Sequence, residues 1–215
     1  DDELVDIVIT KPGDEVVLAT SKGMAIRFSE SDARPMGRNT SGVKGIALDA
    51  DDQLVGMVVA DSQTTLLTAC QNGYAKRTSF GLSSLAMSEG EEPEEENASS
   101  TNRYRTQRRG GKGLRDIKTT ARNGRVIGIA PVDDDDEVIM MTARGKLQRM
   151  ATQEISQIGR NTQGVRIMRL GKGDTLAAIV RVPQEENNEG ESGADSGPEN
   201  PPPADSQQPP PVDPV

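Results

Sequence analysis

Histidine and tryptophan are absent from this 215-residue sequence, and cysteine occurs once. Without an imidazole, histidine-based acid/base chemistry and histidine metal sites are excluded within the chain. The lone Cys70 leaves no internal disulfide and no cysteine-rich zinc or iron–sulfur site. It stands in the apolar run Leu66-Leu67-Thr68-Ala69-Cys70 and reads as a buried small hydrophobe rather than a nucleophile. Such sparing cysteine use fits a reducing cytoplasm. Aromatics number only four (Phe28, Tyr74, Phe80 and Tyr104), too few for the base-stacking platforms of single-strand binders. No apolar stretch approaches the roughly 20 residues that span a bilayer, so no membrane partner is expected. The first residues, Asp1-Asp2-Glu3-Leu4-Val5, show neither a signal-peptide pattern nor an initiator Met, and the chain reads as a piece of a larger protein.

Hydrophobic residues make up 33% of the sequence, charged residues 27%, and the formal net charge is −9. Taken whole, that balance is lean for a core and argues against a polyanionic partner. The charges are segregated, however. Residues 184–215 hold eight acids, no Lys or Arg, and the proline runs Pro201–Pro203 and Pro209–Pro211. Residues 81–102 hold six acids and again no base. The remainder keeps all 25 bases against 20 acids and is net positive by 5. The 184–215 segment is too polar and proline-rich to fold and is expected to be a disordered tail, acting either as a competitor for the basic body or as a solubilising appendage.

Internal repetition is the strongest signal. Three passages open with a short apolar run: Leu4-Val5-Asp6-Ile7-Val8, Leu54-Val55-Gly56-Met57-Val58 and Val126-Ile127-Gly128-Ile129-Ala130. A second run follows in each (Val16–Thr20, Thr65–Ala69, Val138–Thr142), then a glycine turn and a third run: Lys22-Gly23-Met24-Ala25-Ile26-Arg27, Asn72-Gly73-Tyr74-Ala75-Lys76-Arg77 and Arg144-Gly145-Lys146-Leu147-Gln148-Arg149. Glycine between two such runs is a strong hairpin signal. A basic, glycine-containing loop leads to a fourth run, at 38–44, 109–114 and 160–166. From turn glycine to loop arginine the spacing is 15 in two units (23 to 38, 145 to 160) and 36 in the other (73 to 109), so the acidic segment 81–102 is an insertion in one repeat. Long insertions at loop tips carry only a logarithmic closure cost.

Four short, glycine-punctuated strands per unit predict an all-β, propeller-like array of four-stranded antiparallel blades. The predicted boundaries are a blade over 1–51, a second over 52–123 carrying the insertion, a third over 124–183 with a closing strand at 174–180, and the tail 184–215. No sustained 3.6-residue period supports helices. The repeated bases are Arg27, Arg38 and Lys44; Lys76, Arg77, Arg108, Arg109 and Lys112; and Arg149, Arg160 and Arg166. Repetition would set them at similar positions on successive blades, making a curved positive track suited to a bent duplex; ordinary solvated charges are the other reading.

The segment Gln107-Arg108-Arg109-Gly110-Gly111-Lys112-Gly113 matches the seven-residue GyrA box of bacterial DNA gyrase A. Gln71-Asn72-Gly73-Tyr74-Ala75-Lys76-Arg77-Thr78 and Ile158-Gly159-Arg160-Asn161-Thr162-Gln163-Gly164-Val165 are similar to blades of that family's C-terminal domain, and the resemblance covers residues 1–183. It implies a β-pinwheel that wraps duplex DNA around its rim, so that a holoenzyme with gyrase B introduces negative supercoils using ATP and Mg bound outside this chain, in the cytoplasm on the nucleoid. In the family the indispensable box lies in the first of six blades, whereas these units resemble the last three, which makes Gln107–Gly113 a later-blade loop. Its glycines would permit close backbone approach while Arg108, Arg109 and Lys112 face phosphates.

The chain itself is then non-catalytic, because the family's cleavage tyrosine belongs to another domain and neither Tyr74 nor Tyr104 inherits that role. The loop is no Walker A motif, as Gly111-Lys112-Gly113-Leu114 lacks the hydroxyl residue after lysine. Asp133-Asp134-Asp135-Asp136 reads as a turn rather than a metal site. The alternative functions are a protein-interaction propeller for an acidic partner, or the related C-terminal domain of topoisomerase IV.

Overall fold

The computed structural model describes residues 3–81 and 103–184. The expectations for the acidic insertion and for the tail therefore lie outside the described residues, apart from their edges. Regular structure is almost entirely strand: β1 (Glu15–Thr20), β2 (Met24–Ser29), β3 (Leu54–Val59), β4 (Thr65–Cys70), β5 (Tyr74–Ser79), β6 (Leu114–Arg115), β7 (Val126–Val132), β8 (Glu137–Thr142), β9 (Leu147–Ala151), β10 (Val165–Arg166) and β11 (Leu176–Val182). Among the described residues the helical pieces are single 3-10 turns at Glu30–Asp32 and Thr152–Glu154.

The repeating element is an antiparallel hairpin, β1–β2, β4–β5 and β8–β9. Each turns at a glycine whose positive φ would strain any other residue: Gly23 at 82°, Gly73 at 76° and Gly145 at 82°. The hairpins nucleate three antiparallel sheets, in the orders β3-β1-β2-β6, β10-β5-β4-β7 and β11-β8-β9.

The sheets are not built unit by unit as the repeat boundaries suggested. Each hairpin is flanked on one side by the apolar run that opens the following unit: β3 on β1, β7 on β4 and β11 on β8. On the other side, two of them receive the two-residue strand that follows the next unit's basic loop, β6 on β2 and β10 on β5. A hydrophobic pattern reports which residues can form a strand, not which edge that strand joins. Residues 4–8, expected as a strand, form none, and Leu4 and Ile7 are exposed. Their equivalents β3 and β7 each pair with the preceding hairpin, and among the described residues no hairpin precedes residue 4. The 38–44 segment likewise stays irregular for want of the edge that β6 and β10 occupy.

Period-two alternation distributes side chains between layers. Val17 and Ala19 of β1 join Leu66, Phe80 and Tyr104 between the first two sheets, while Val16 and Leu18 pack with Ile26, Phe28 and Ile46 on the opposite face. Leu67 and Ala69 meet Val138, Met140 and Leu176 between the second and third sheets. All six residues of β1 are buried because it is a central strand with both faces covered. All four aromatics are buried, so none offers a free face for stacking on a base.

Candidate nucleic-acid interface

The three basic loops are joined end to end by a repeated pair of backbone hydrogen bonds. Gly110 N donates to Gly45 O at 2.7 Å and Ala47 N to Gly111 O at 2.8 Å. One repeat later Asn161 N donates to Asp116 O at 2.6 Å and Lys118 N to Thr162 O at 2.7 Å. The second and third loops also sit on the hairpin of the preceding unit. Gln107 N bonds Arg27 O, and Ile158 N bonds Arg77 O. At Gly113 (φ 78°) a Cβ would lie 2.4 Å from Ala25 O, and at Gly164 (φ 74°) 2.8 Å from Ala75 O, so the chain can cross the strand there only without a side chain. The result is a continuous run of loops carrying exposed Arg38 and Lys44, then Arg108, Lys112 and Arg115, then Arg166.

The expected site residues fall into three groups. Arg38, Lys44, Arg108 and Arg166 are exposed and make no ion pair with a described carboxylate. Lys112 joins them, its side chain 81% exposed with Asp49 only at 4.0 Å, an arrangement worth little in water. Arg109 and Arg160 are half-buried and clamp the loops. Arg109 donates to Asp32 O at 2.8 Å and to Lys44 O at 2.6 Å, and Arg160 Nε donates to Arg103 O at 2.7 Å. A carbonyl acceptor does not cancel a guanidinium charge. Burial pushes Arg160 below the usual guanidinium range, while Tyr104 and Asp116 oppose that shift. Gly110, Gly111 and Gly113 shape the turn, and the Gln107 Nε2 is shielded from solvent.

Three expected bases, Lys76, Arg77 and Arg27, are buried. Lys76 is fully buried, its ammonium 2.7 Å from Asp116 Oδ1 and 2.6 Å from Thr78 Oγ1. Burial lowers its pKa and Asp116 acts against that shift. Asp116 also accepts from Thr68 Oγ1 at 2.7 Å and from the Tyr104 hydroxyl, whose pKa burial pushes well up. Arg77 is buried between Ile155 O and Asp134, and Arg27 between Glu15 and the carbonyls of Phe80 and Tyr104. Arg149 is exposed but paired with Glu137, whose hydrogen bond raises its pKa. A charged residue on a strand reads as surface in sequence, and its burial depends on a carboxylate from elsewhere in the chain.

In the Asp133–Asp136 turn, Asp133 Oδ1 accepts the backbone N–H groups of Asp135 and Asp136, and Arg181 bridges Asp133 and Asp136. Sequence reading also passed over exposed cations. Arg115 holds the place of Lys44 and Arg166, two residues after the loop glycine, and the repeat spacing could have found it. Arg122 lies in the turn between β6 and β7, which carries no repeat signal.

A family model described as the DNA gyrase C-terminal domain, beta-propeller, matches residues 14–61, 99–133 and 136–183. DNA gyrase A of Mycobacterium tuberculosis (strain H37Rv) is 40% identical over 190 residues, covering 87% of this chain and 20% of that protein. The Escherichia coli K12 protein is 39% identical over 181 residues, 84% of this chain and 18% of the relative, so the chain spans about a fifth of such proteins. A solved gyrase A C-terminal domain superposes with a TM-score of 0.65 at 25% identity, covering 82% of this chain and 52% of that one. The C-terminal domain of DNA topoisomerase IV shares the fold, with a TM-score of 0.64 at 19% identity over 80% of this chain and 47% of that one. Together with the strand-exchanged sheets and linked basic loops, these matches place the chain in the DNA gyrase A C-terminal domain family, as an all-β pinwheel.

Proposed function

We propose that this chain binds duplex DNA along its linked basic loops and bends it, serving as the wrapping part of a longer gyrase A protein. The observation that carries the reading is the end-to-end bonding of three loops bearing exposed cations, which turns separate charges into one track. Buried aromatics and guanidinium or ammonium donors favour backbone contact over base reading, so binding depends on phosphate neutralisation with little sequence preference. In the holoenzyme, a heterotetramer of two gyrase A and two gyrase B chains, the wrapped segment would be presented for strand passage, giving negative supercoils at the expense of ATP hydrolysed with Mg on gyrase B. That work belongs in the bacterial cytoplasm on the nucleoid. No nucleotide or metal is assigned to this chain.

Titration of a fluorescent duplex against salt tests the reading. Log affinity should fall by about 0.9 per log unit of salt for each phosphate neutralised. The Arg108→Ala/Lys112→Ala variant should lower that slope by about 1.8 whatever the DNA sequence. Ligating nicked circles in the presence of the chain should shift their linking number. A chain that does not bind duplex at low salt overturns the proposal and leaves an acidic protein as the partner for the loops.

A further inference from the structure

Tyr74 opens β5 and is 2% exposed, yet its hydroxyl is the meeting point of two exposed arginines. Arg122 Nε donates to Tyr74 Oη at 3.1 Å and Arg166 Nη2 donates to it at 2.8 Å. Both guanidiniums also stand over the ring, 5.1 and 5.2 Å from its centroid. Each is held from its own backbone. Arg166 is the β10 partner of Tyr74 in the ladder, and the Asn72 side chain donates to the Ala121 and Arg122 carbonyls. Asn123, fully buried, ties the two segments together by donating to Lys118 O and Gln163 O.

Neither arginine makes an ion pair with a described carboxylate. Two cations bonded to one oxygen repel each other, and a neutral phenol does not cancel that charge. The Tyr74 phenol is held below its ordinary value, first by the Arg122 hydrogen bond and then by that of Arg166, with burial acting the other way. The arrangement is local to the second sheet. In the first sheet Arg115 stands opposite Met24, and in the third Lys146 takes the place of Tyr74.

We infer that Arg122 and Arg166, aligned by Tyr74, form a two-pronged seat for a single phosphate of the duplex. Guanidinium forks suit the bidentate geometry of a phosphodiester, and an anion between them relieves their mutual repulsion. Arg122 and Arg166 contact the ligand, whereas Tyr74 is a positioning residue. The seat rests on the proposed DNA-binding reading and assigns it a position beyond the box.

The test is duplex titration against salt with the full chain and its variants. Removing both arginines (Arg122→Ala/Arg166→Ala) should lower the salt slope by about 0.9, the value for one phosphate. Arg166→Lys, which keeps the charge and loses the fork, should keep the slope while weakening binding roughly threefold. Tyr74→Phe preserves the ring, and its melting temperature reports any packing effect. It should weaken binding by roughly threefold in the parent chain and leave the double-alanine variant unchanged, the non-additivity expected of coupled groups. An unchanged slope on losing both arginines, or an equal Tyr74→Phe effect in both backgrounds, overturns the seat and leaves DNA binding standing. Failure of the parent chain to bind duplex instead removes the DNA reading itself.

Discussion

Lys76 shows how far a single residue's role departs from its sequence neighbourhood. In Tyr74-Ala75-Lys76-Arg77 it reads as surface charge, but in the fold its ammonium lies in the interior against an aspartate 40 residues away. Removing one member of a buried pair leaves an uncompensated charge, which typically costs about 3–5 kcal/mol. Asp116→Ala should therefore destabilise by about 3–5 kcal/mol in urea unfolding, since it also orphans the Thr68 and Tyr104 donors. Lys76→Met should cost less, because Asp116 keeps those two donors, and Lys76→Met should cost almost nothing once Asp116 is already absent. Equal, additive losses would show that the two side chains are not coupled. Asp116 carried no repeat signal, its equivalents being Gly45 and Ile167, which is why spacing alone did not reveal the pair.

At the scale of elements, the decisive feature is a loop lying across the preceding hairpin. Gly113 and Gly145 both have positive φ, 78° and 82°, but differ in surroundings. A Cβ at Gly113 meets the Ala25 carbonyl oxygen at 2.4 Å, while nothing lies within 4 Å at Gly145. Gly145→Ala should cost about 1 kcal/mol of backbone strain, and Gly113→Ala roughly 2 kcal/mol or more, because a backbone carbonyl must move. Gly113→Ala should also weaken duplex binding by lifting Arg108 and Lys112 off the track, whereas Gly145→Ala should not. Thermal melting and salt titration of the two variants separate these outcomes. The hairpins were legible in sequence, since alternation and turn glycines act between adjacent residues. The crossings were not: β6 is only two residues long, and its pairing with β2 depends on a strand some 90 positions earlier, at Met24 and Ala25.

Across the described residues up to Gln184, strand exchange removes any boundary at which one sheet could fold alone. The first sheet needs β3 and β6, the second needs β7 and β10, and the third needs β11. Cys70 at the end of β4 is a built-in reporter of this interdependence. It is fully buried among Tyr74, Ile117 and Val126, and burial pushes its thiol up to about 12, so little thiolate forms at pH 8. A thiol reagent should leave Cys70 unmodified in the folded chain and label it only at denaturant concentrations where circular dichroism shows loss of the strands. Labelling well before that transition would mean the second sheet opens independently.

The sequence by itself determined the all-β repeat, the glycine-turned hairpins, the insertion in one unit and the basic character hidden beneath a net charge of −9. These rest on spacing, alternation and charge count, which are local or additive properties. The tertiary structure decided which strands share a sheet, which cations turn inward to Asp116, Asp134 and Glu15, and which stay in solvent along the linked loops. Those outcomes depend on contacts between residues tens of positions apart, where burial, a partner carboxylate or an open strand edge outweighs any preference written into the neighbouring residues.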